Sequence, residues 1–122
     1  MFNRREQLGS PQGVYIISVA ARVLEMHPQT LRKYERIGLV SPSRTGGMLR
    51  LYSEEDIARL RLIKHLVGDL GLNLAGVELA LSLFNRLIDL RIAATRLNGV
   101  ALKVALRQTV DEMIEVLQGK LR

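Results

Sequence analysis

An all-α fold with a small β-wing is what this sequence predicts: a winged helix-turn-helix followed by a C-terminal helix. Three observations carry it. Hydrophobic residues make up 48% of the 122 residues but aromatics only 4%, with no Trp, so the core is aliphatic and helix-built. Between Ser18 and Tyr52, two short amphipathic patterns precede a Thr45-Gly46-Gly47 turn whose flanks can pair. From Leu83 to Val104, apolar residues alternate by four and three, the spacing of a coiled-coil seam. A chain of this length holds one core with an appended element, not two full domains.

Residues 1–13 are polar, and Gly9, Ser10, Pro11 and Gly13 discourage regular structure, so they read as a flexible arm. Its Arg4 and Arg5 either touch an anionic partner or stay solvated. Val14 to Ile17 is an apolar run too short for a helix, and it delivers the chain to Ser18, an expected N-cap. A first helix follows over residues 19–24, with Val19, Ala20, Val23 and Leu24 as its buried stripe. Pro28, tolerated in a first turn where its missing N–H has no partner, opens a second helix over residues 28–37. Leu31, Tyr34 and Ile37 share one line of that helix, Gly38 stops it, and Arg32, Lys33 and Arg36 fall toward its other sides.

Residues 41–44 and 48–52 flank the glycine turn as a hairpin, the wing. Ser53-Glu54-Glu55-Asp56 is a capping signature with acid in the first turn, so a third helix starts there. Its expected stripe is Ile57, Leu60, Ile63, Val67 and Leu70. Gly71 ends it, and Asn73 caps a fourth helix facing inward through Val77, Leu81 and Phe84.

The seam comprises Leu83, Leu87, Leu90, Ala94, Leu97, Ala101 and Val104, and lapses at Gln108 and Asp111. A second line, Leu106, Val110, Met113 and Leu117, continues in a changed register, with Asn98-Gly99 between the two. Glycine inside a helix costs roughly 1 kcal/mol relative to alanine, so the tail is either one kinked helix or two. A seam with no large domain to cover it is satisfied by a second copy, making the chain a homodimer; a hairpin within the chain is the alternative. The expected organisation is therefore an arm at 1–13, a winged domain at 14–84 and a dimerisation helix and tail at 85–122.

The formal charge of +6 favours an anionic partner, nucleic acid before a membrane surface. Its placement sharpens this. Over residues 28–52 five basic groups, Arg32, Lys33, Arg36, Arg44 and Arg50, face the single acid Glu35, a local net of +4 that coincides with the helix-turn-helix and wing. The absence of cysteine excludes a disulfide framework, thiolate metal sites and a thiol switch. His27 and His65 have no second His or Cys at ligand spacing and read as cap or surface residues, so no metal is expected. There is no P-loop, no GxSxG and no carboxylate pair in a Gly-rich or apolar setting, so neither enzymatic activity nor a cofactor is expected. The opening MFNRREQLGSPQG lacks the apolar run of a secretory signal, and no apolar stretch nears the ~20 residues of a membrane span; a cytoplasmic location is expected.

The run Tyr15-Ile16-Ile17-Ser18-Val19-Ala20-Ala21, then Met26 through Val40 with its Thr30-Leu31-Arg32-Lys33-Tyr34-Glu35-Arg36-Ile37-Gly38-Leu39 core, then Arg50-Leu51-Tyr52-Ser53, resembles the MerR family of regulators over residues 14–84. Leu39-Val40-Ser41-Pro42, Arg44-Thr45 and Gly71-x-Asn73-Leu74-Ala75-Gly76-Val77 are similar to its heat-shock repressor subgroup, HspR. The resemblance implies repression of chaperone operons through an inverted-repeat DNA operator, with the DnaK chaperone as co-repressor. Two departures stand out. Glu25 replaces a glycine common in the family's turn, where a left-handed residue with a side chain costs of order 1 kcal/mol. Met48-Leu49-Arg50-Leu51-Tyr52 lacks the Gly and second Arg usual in family wings, which implies fewer wing contacts.

A recognition helix reads base edges in the roughly 12 Å major groove through residues near its N-terminal half. Gln29, Thr30 and Lys33 suit that role: Gln pairs with adenine, Lys with guanine, and Thr takes either part. The resemblance adds Arg32 and Tyr34, Tyr34 alternatively serving the core, and Ser18, Arg36 and Arg44 complete the expected DNA-contacting set. It also makes Arg50 and Tyr52 a wing pair on phosphate and sugar, positioning the protein without specifying bases. Two other readings remain: a MerR-type activator that untwists a promoter, disfavoured by the lack of an effector domain, and an interaction module whose basic helix binds an acidic protein.

Overall fold

A computed structural model of the chain describes residues 14–122. The expected arm, with Arg4 and Arg5, lies outside the described residues. The chain packs as two units, the first ending at Gly71 and the second running from Leu72 to Arg122.

In the first unit, strand β1 (Tyr15–Ile16) leads directly into helix α1 (Ile17–Leu24), and helix α2 (Pro28–Arg36) follows a three-residue turn. Strands β2 (Ser43–Arg44) and β3 (Arg50–Tyr52) form the wing, and helix α3 (Glu54–Lys64) runs on into a π-helical turn at His65–Asp69. The sheet has the order β1-β3-β2, antiparallel throughout, with Tyr15 opposite Tyr52, Ile16 opposite Leu51, Ser43 opposite Leu51 and Arg44 opposite Arg50. The third strand corrects the expected two-stranded hairpin. Within the Val14–Ile17 run, Tyr15 and Ile16 form an edge strand on β3, and Ile17 already opens the helix.

That pairing also corrects the first helix. Ile16, extended at φ −73 and ψ 162, is the N-cap, and the helix begins at Ile17. Ser18 is not the cap: it sits exposed in the first turn, because the strand has already aimed the chain into the helix one residue earlier. The buried face is Ala20, Ala21 and Leu24, while Val23 is turned outward. The core of the unit is completed by Leu31, Tyr34, Leu39, Val40, Tyr52, Ile57, Leu60, Ile63 and Leu66.

Helix α3 starts as its capping signature predicts. Ser53 Oγ accepts from Asp56 N at 3.0 Å and Asp56 Oδ2 accepts from Ser53 N at 3.0 Å, so each satisfies an orphan donor of the helix start. The stripe holds through Ile63. Beyond it the wider π turn, closed by Leu70 N donating to His65 O at 3.1 Å, breaks the 3.6-residue step: Leu66 is buried, whereas Val67 and Leu70 are exposed.

The second unit is a helical hairpin. Asn73 caps helix α4 (Leu74–Arg96), its Oδ1 accepting from Gly76 N at 2.9 Å. Leu97 and Asn98 are extended, Gly99 takes φ +58, and helix α5 (Gly99–Leu117) packs back against α4. Arg86, on α4, sets the antiparallel register: its Nε lies 3.6 Å from the Glu112 carboxylate and its Nη2 donates to the Arg122 carbonyl at 2.7 Å. The seam expected from Leu83 to Val104 is therefore not one helix. Its heptad count runs through the break at 97–98, so Leu83, Leu87, Leu90 and Ala94 lie on α4, Leu97 in the turn, and Ala101 and Val104 on α5. Of these, Leu83 and Leu90 are half-buried and the other five exposed.

Candidate DNA-binding surface

The turn between α1 and α2 is held on both sides. Glu25 occupies the left-handed region at φ 54 and ψ 49, and Met26 N donates back to Ala21 O at 2.9 Å, closing the helix end. Lys64, projecting from α3, donates to the carbonyls of Leu24 at 2.9 Å and Glu25 at 3.3 Å, placing a cation on the C-terminal end of α1. On the other side, His27 Nδ1 accepts from Gln29 N at 3.0 Å and caps α2, with Pro28 at its first position. His27 is thus a cap, and among the described residues no cluster of three or more His, Cys, Asp or Glu could hold a metal.

Helix α2 buries Leu31 and Tyr34 and turns its opposite side outward. Gln29, Lys33 and Arg36, at spacings of four and three, share an exposed stripe; Thr30 and Arg32 flank it half-buried. Tyr34 is a core residue at 9% exposure. Tyr52 is fully buried at 0%, its hydroxyl without a hydrogen-bond partner, so its side chain belongs to the core and not to the wing's outer edge. Burial raises its pKa, with the Glu35 charge adding to the effect. Ser18 is exposed on α1.

The wing tip is tied by Thr45, whose Oγ1 accepts from Gly47 N and Leu49 N, each at 3.2 Å. Met48 there sits at φ 70, the left-handed conformation that glycine adopts more easily. Behind the tip, Arg44 and Arg50 face each other across β2 and β3, and both reach Glu35 on α2. Arg44 Nη2 donates to Glu35 Oε2 at 2.8 Å, Arg44 Nη1 donates to Met48 O at 3.2 Å, and Arg50 Nε donates to Glu35 Oε1. Burial acts to raise the Glu35 pKa, but the hydrogen bonds and charges of Arg50 and Arg44 outweigh it and hold the carboxyl below its ordinary value.

Glu35 entered the sequence reading only as the lone acid in a basic stretch. Its bridging role was hidden because the opposition of Arg44 and Arg50 depends on strand register, which spacing does not fix. Arg59 was missed too: its Nε donates to Leu39 O at 2.7 Å, anchoring the loop between α2 and the wing. Lys64 likewise reads as an ordinary charged helix residue until the fold brings it to the end of α1.

Residues 15–83 match the family model described as MerR HTH family regulatory protein. A Streptomyces coelicolor protein carrying the name heat shock protein HspR is 50% identical over 84 residues, 69% of this chain and 56% of its own length. The HTH-type transcriptional regulator GlnR of Bacillus anthracis is 38% identical over 65 residues, 53% of this chain and 50% of that protein. The chain thus spans about half the length of these relatives. Among solved structures, a MerR family transcriptional regulator from Bacillus cereus aligns over 88% of this chain and 69% of its own, with a TM-score of 0.50 and 26% identity. HiNmlR, a MerR family regulator lacking the sensor domain and bound to promoter DNA, shares the fold at a TM-score of 0.50 and 18% identity, over 88% of this chain and 72% of that one. With the family model covering more than half of its residues and the helix-turn-helix and wing in place, the chain belongs to the MerR family of helix-turn-helix regulatory proteins.

Proposed function

We propose that this chain is a sequence-specific transcriptional repressor that binds an inverted-repeat operator as a homodimer. The observation that carries it is the exposed Gln29–Lys33–Arg36 stripe of α2: groups able to read bases or meet phosphates stand on a helix whose other side is locked in the core. Thr30 and Arg32 border the stripe, and Arg50 in the wing supplies a phosphate contact beside it. Dimerisation uses the second unit, where Leu87, Leu97, Val100 and Val104 remain exposed. The likeness to HspR points to heat-shock and chaperone genes as targets, and with them to DnaK as a co-repressor. The likeness to a named GlnR supports DNA-bound regulation as the general mode.

Selection of duplexes from a random pool tests the proposal. The recovered site should be an inverted repeat bound at least ~10³-fold more tightly than random duplex of equal length. Equal affinity for both would end the repressor reading and favour a protein-binding module.

A further inference from the structure

We propose that Glu35 is a positioning residue that divides the labour of the two wing arginines, making Arg44 a brace within the wing and leaving Arg50 to meet the DNA backbone; this rests on the DNA-binding reading above. Like charges directly opposite on paired strands repel, and Arg44 and Arg50 are such a pair. The Glu35 carboxylate lies between them, one oxygen for each guanidinium. With the acid on α2 and the bases on β2 and β3, one side chain ties both strands of the wing to the recognition helix.

The two guanidinium groups are used differently. Arg44 has both terminal nitrogens engaged, Nη2 on Glu35 and Nη1 on the Met48 carbonyl; its side chain is the more exposed of the two, 33% against 24% for Arg50, but its donors are already occupied within the protein. Arg50 is held through Nε; among the described residues its terminal nitrogens make no hydrogen bond, and its side chain is 24% exposed. An arginine fixed at Nε with its two terminal amines free is ready for a phosphate without first reordering its side chain, which lowers the entropy cost of binding. The burial of Tyr52 beside Arg50 leaves this pair of amines as the polar end that β3 offers.

Salt dependence separates a phosphate contact from a brace, because each neutralised phosphate contributes about 0.9 to the slope of log K against log salt. The probes are the best duplex from the random-pool selection and a random duplex of the same length. Arg50→Gln should flatten the slope by about one for both duplexes. Arg44→Gln should leave the slope unchanged and lower the ratio of selected to random binding about tenfold. Glu35→Gln should lower that ratio similarly while random-duplex affinity holds or rises, since an acid near the backbone is removed. The double variant Glu35→Gln/Arg44→Gln should be no worse than either single, the mark of one shared interaction. A slope loss for Arg44→Gln equal to that of Arg50→Gln overturns the proposal, as does a Glu35→Gln protein that gains equally on both duplexes. Should Glu35→Gln fail to fold, the two arginine variants decide alone. A parent with no preferred duplex defeats the DNA reading itself, a result distinct from any of these and fatal to the proposal too.

Discussion

Glu25 keeps a left-handed backbone at a helix end where glycine would be free of strain, and it does so with Lys64 bonded to its own carbonyl and to that of Leu24. The conformation costs a residue bearing a side chain about 1–2 kcal/mol, against which glycine loses some 0.4–1 kcal/mol through its freer unfolded chain. Glu25→Gly should therefore stabilise the first unit by about 0.5–1 kcal/mol, read from urea midpoints at constant slope. Glu35 makes a second residue-scale prediction, through protons. Its folded pKa is lowered, so the stability it adds is present above the unfolded value near 4.3 and is lost as pH falls through the folded one. The gap in unfolding free energy between the parent and Glu35→Gln should be widest near neutral pH and close on acidification below about 4. A gap that stays constant from pH 7 to 3 would mean the carboxylate charge contributes nothing.

Elements with a local signature were legible in the sequence, and those made by distant pairing were not. Ser53 and Asp56, three residues apart, announced the start of α3; Asn73 announced α4, Pro28 announced α2 and Gly38 its end. Ser53→Ala should cost about 1 kcal/mol, because it unmakes one half of a reciprocal cap whose other half, the Asp56 carboxylate, stays in place. An unchanged thermal midpoint would show the cap to be idle. By contrast, β1 became visible only through its pairing with β3, Tyr15 against Tyr52 and Ile16 against Leu51 across the whole helix-turn-helix, and that pairing moved the start of α1 off Ser18. The seam was counted across a break that Asn98-Gly99 already marked as a place where one helix could become two. Counting by four and three assumes an unbroken helix, and two extended residues at Leu97 and Asn98 reverse the chain midway. At the candidate surface, periodicity sorted exposed Gln29, Lys33 and Arg36 from buried Leu31 and Tyr34, but it also put Ile37 on the inner line, where the helix has already ended and the side chain is exposed. It could not foresee that Tyr52 faces the core or that Glu35 gathers the wing arginines.

At the scale of the whole molecule the two units differ in how much they bury. Among the described residues the second buries four apolar side chains, Val77, Leu81, Ile88 and Val116, over the length of two helices, while Leu87 stays 50% exposed and Val104 58%. Assembly of two copies would cover such a surface. Changing both Leu87 and Val104 to Lys should yield monomers by sedimentation and abolish operator binding while the winged unit stays folded, since neither residue is buried in the single chain. A dimer that survives both charges would place the interface elsewhere. No helix among the described residues is long and apolar enough to cross a membrane, so these exposed residues do not form a spanning segment. The sparse core of the hairpin then has a consequence for dosage. If most of its stabilising area comes from a second copy, its folding follows mass action: amides of α4 and α5 exchange with solvent more slowly as protein concentration rises, while those of α1 to α3 do not. The cell's own supply of the chain would set the fraction able to hold DNA, and a modest fall in abundance would release the operator more steeply than proportion.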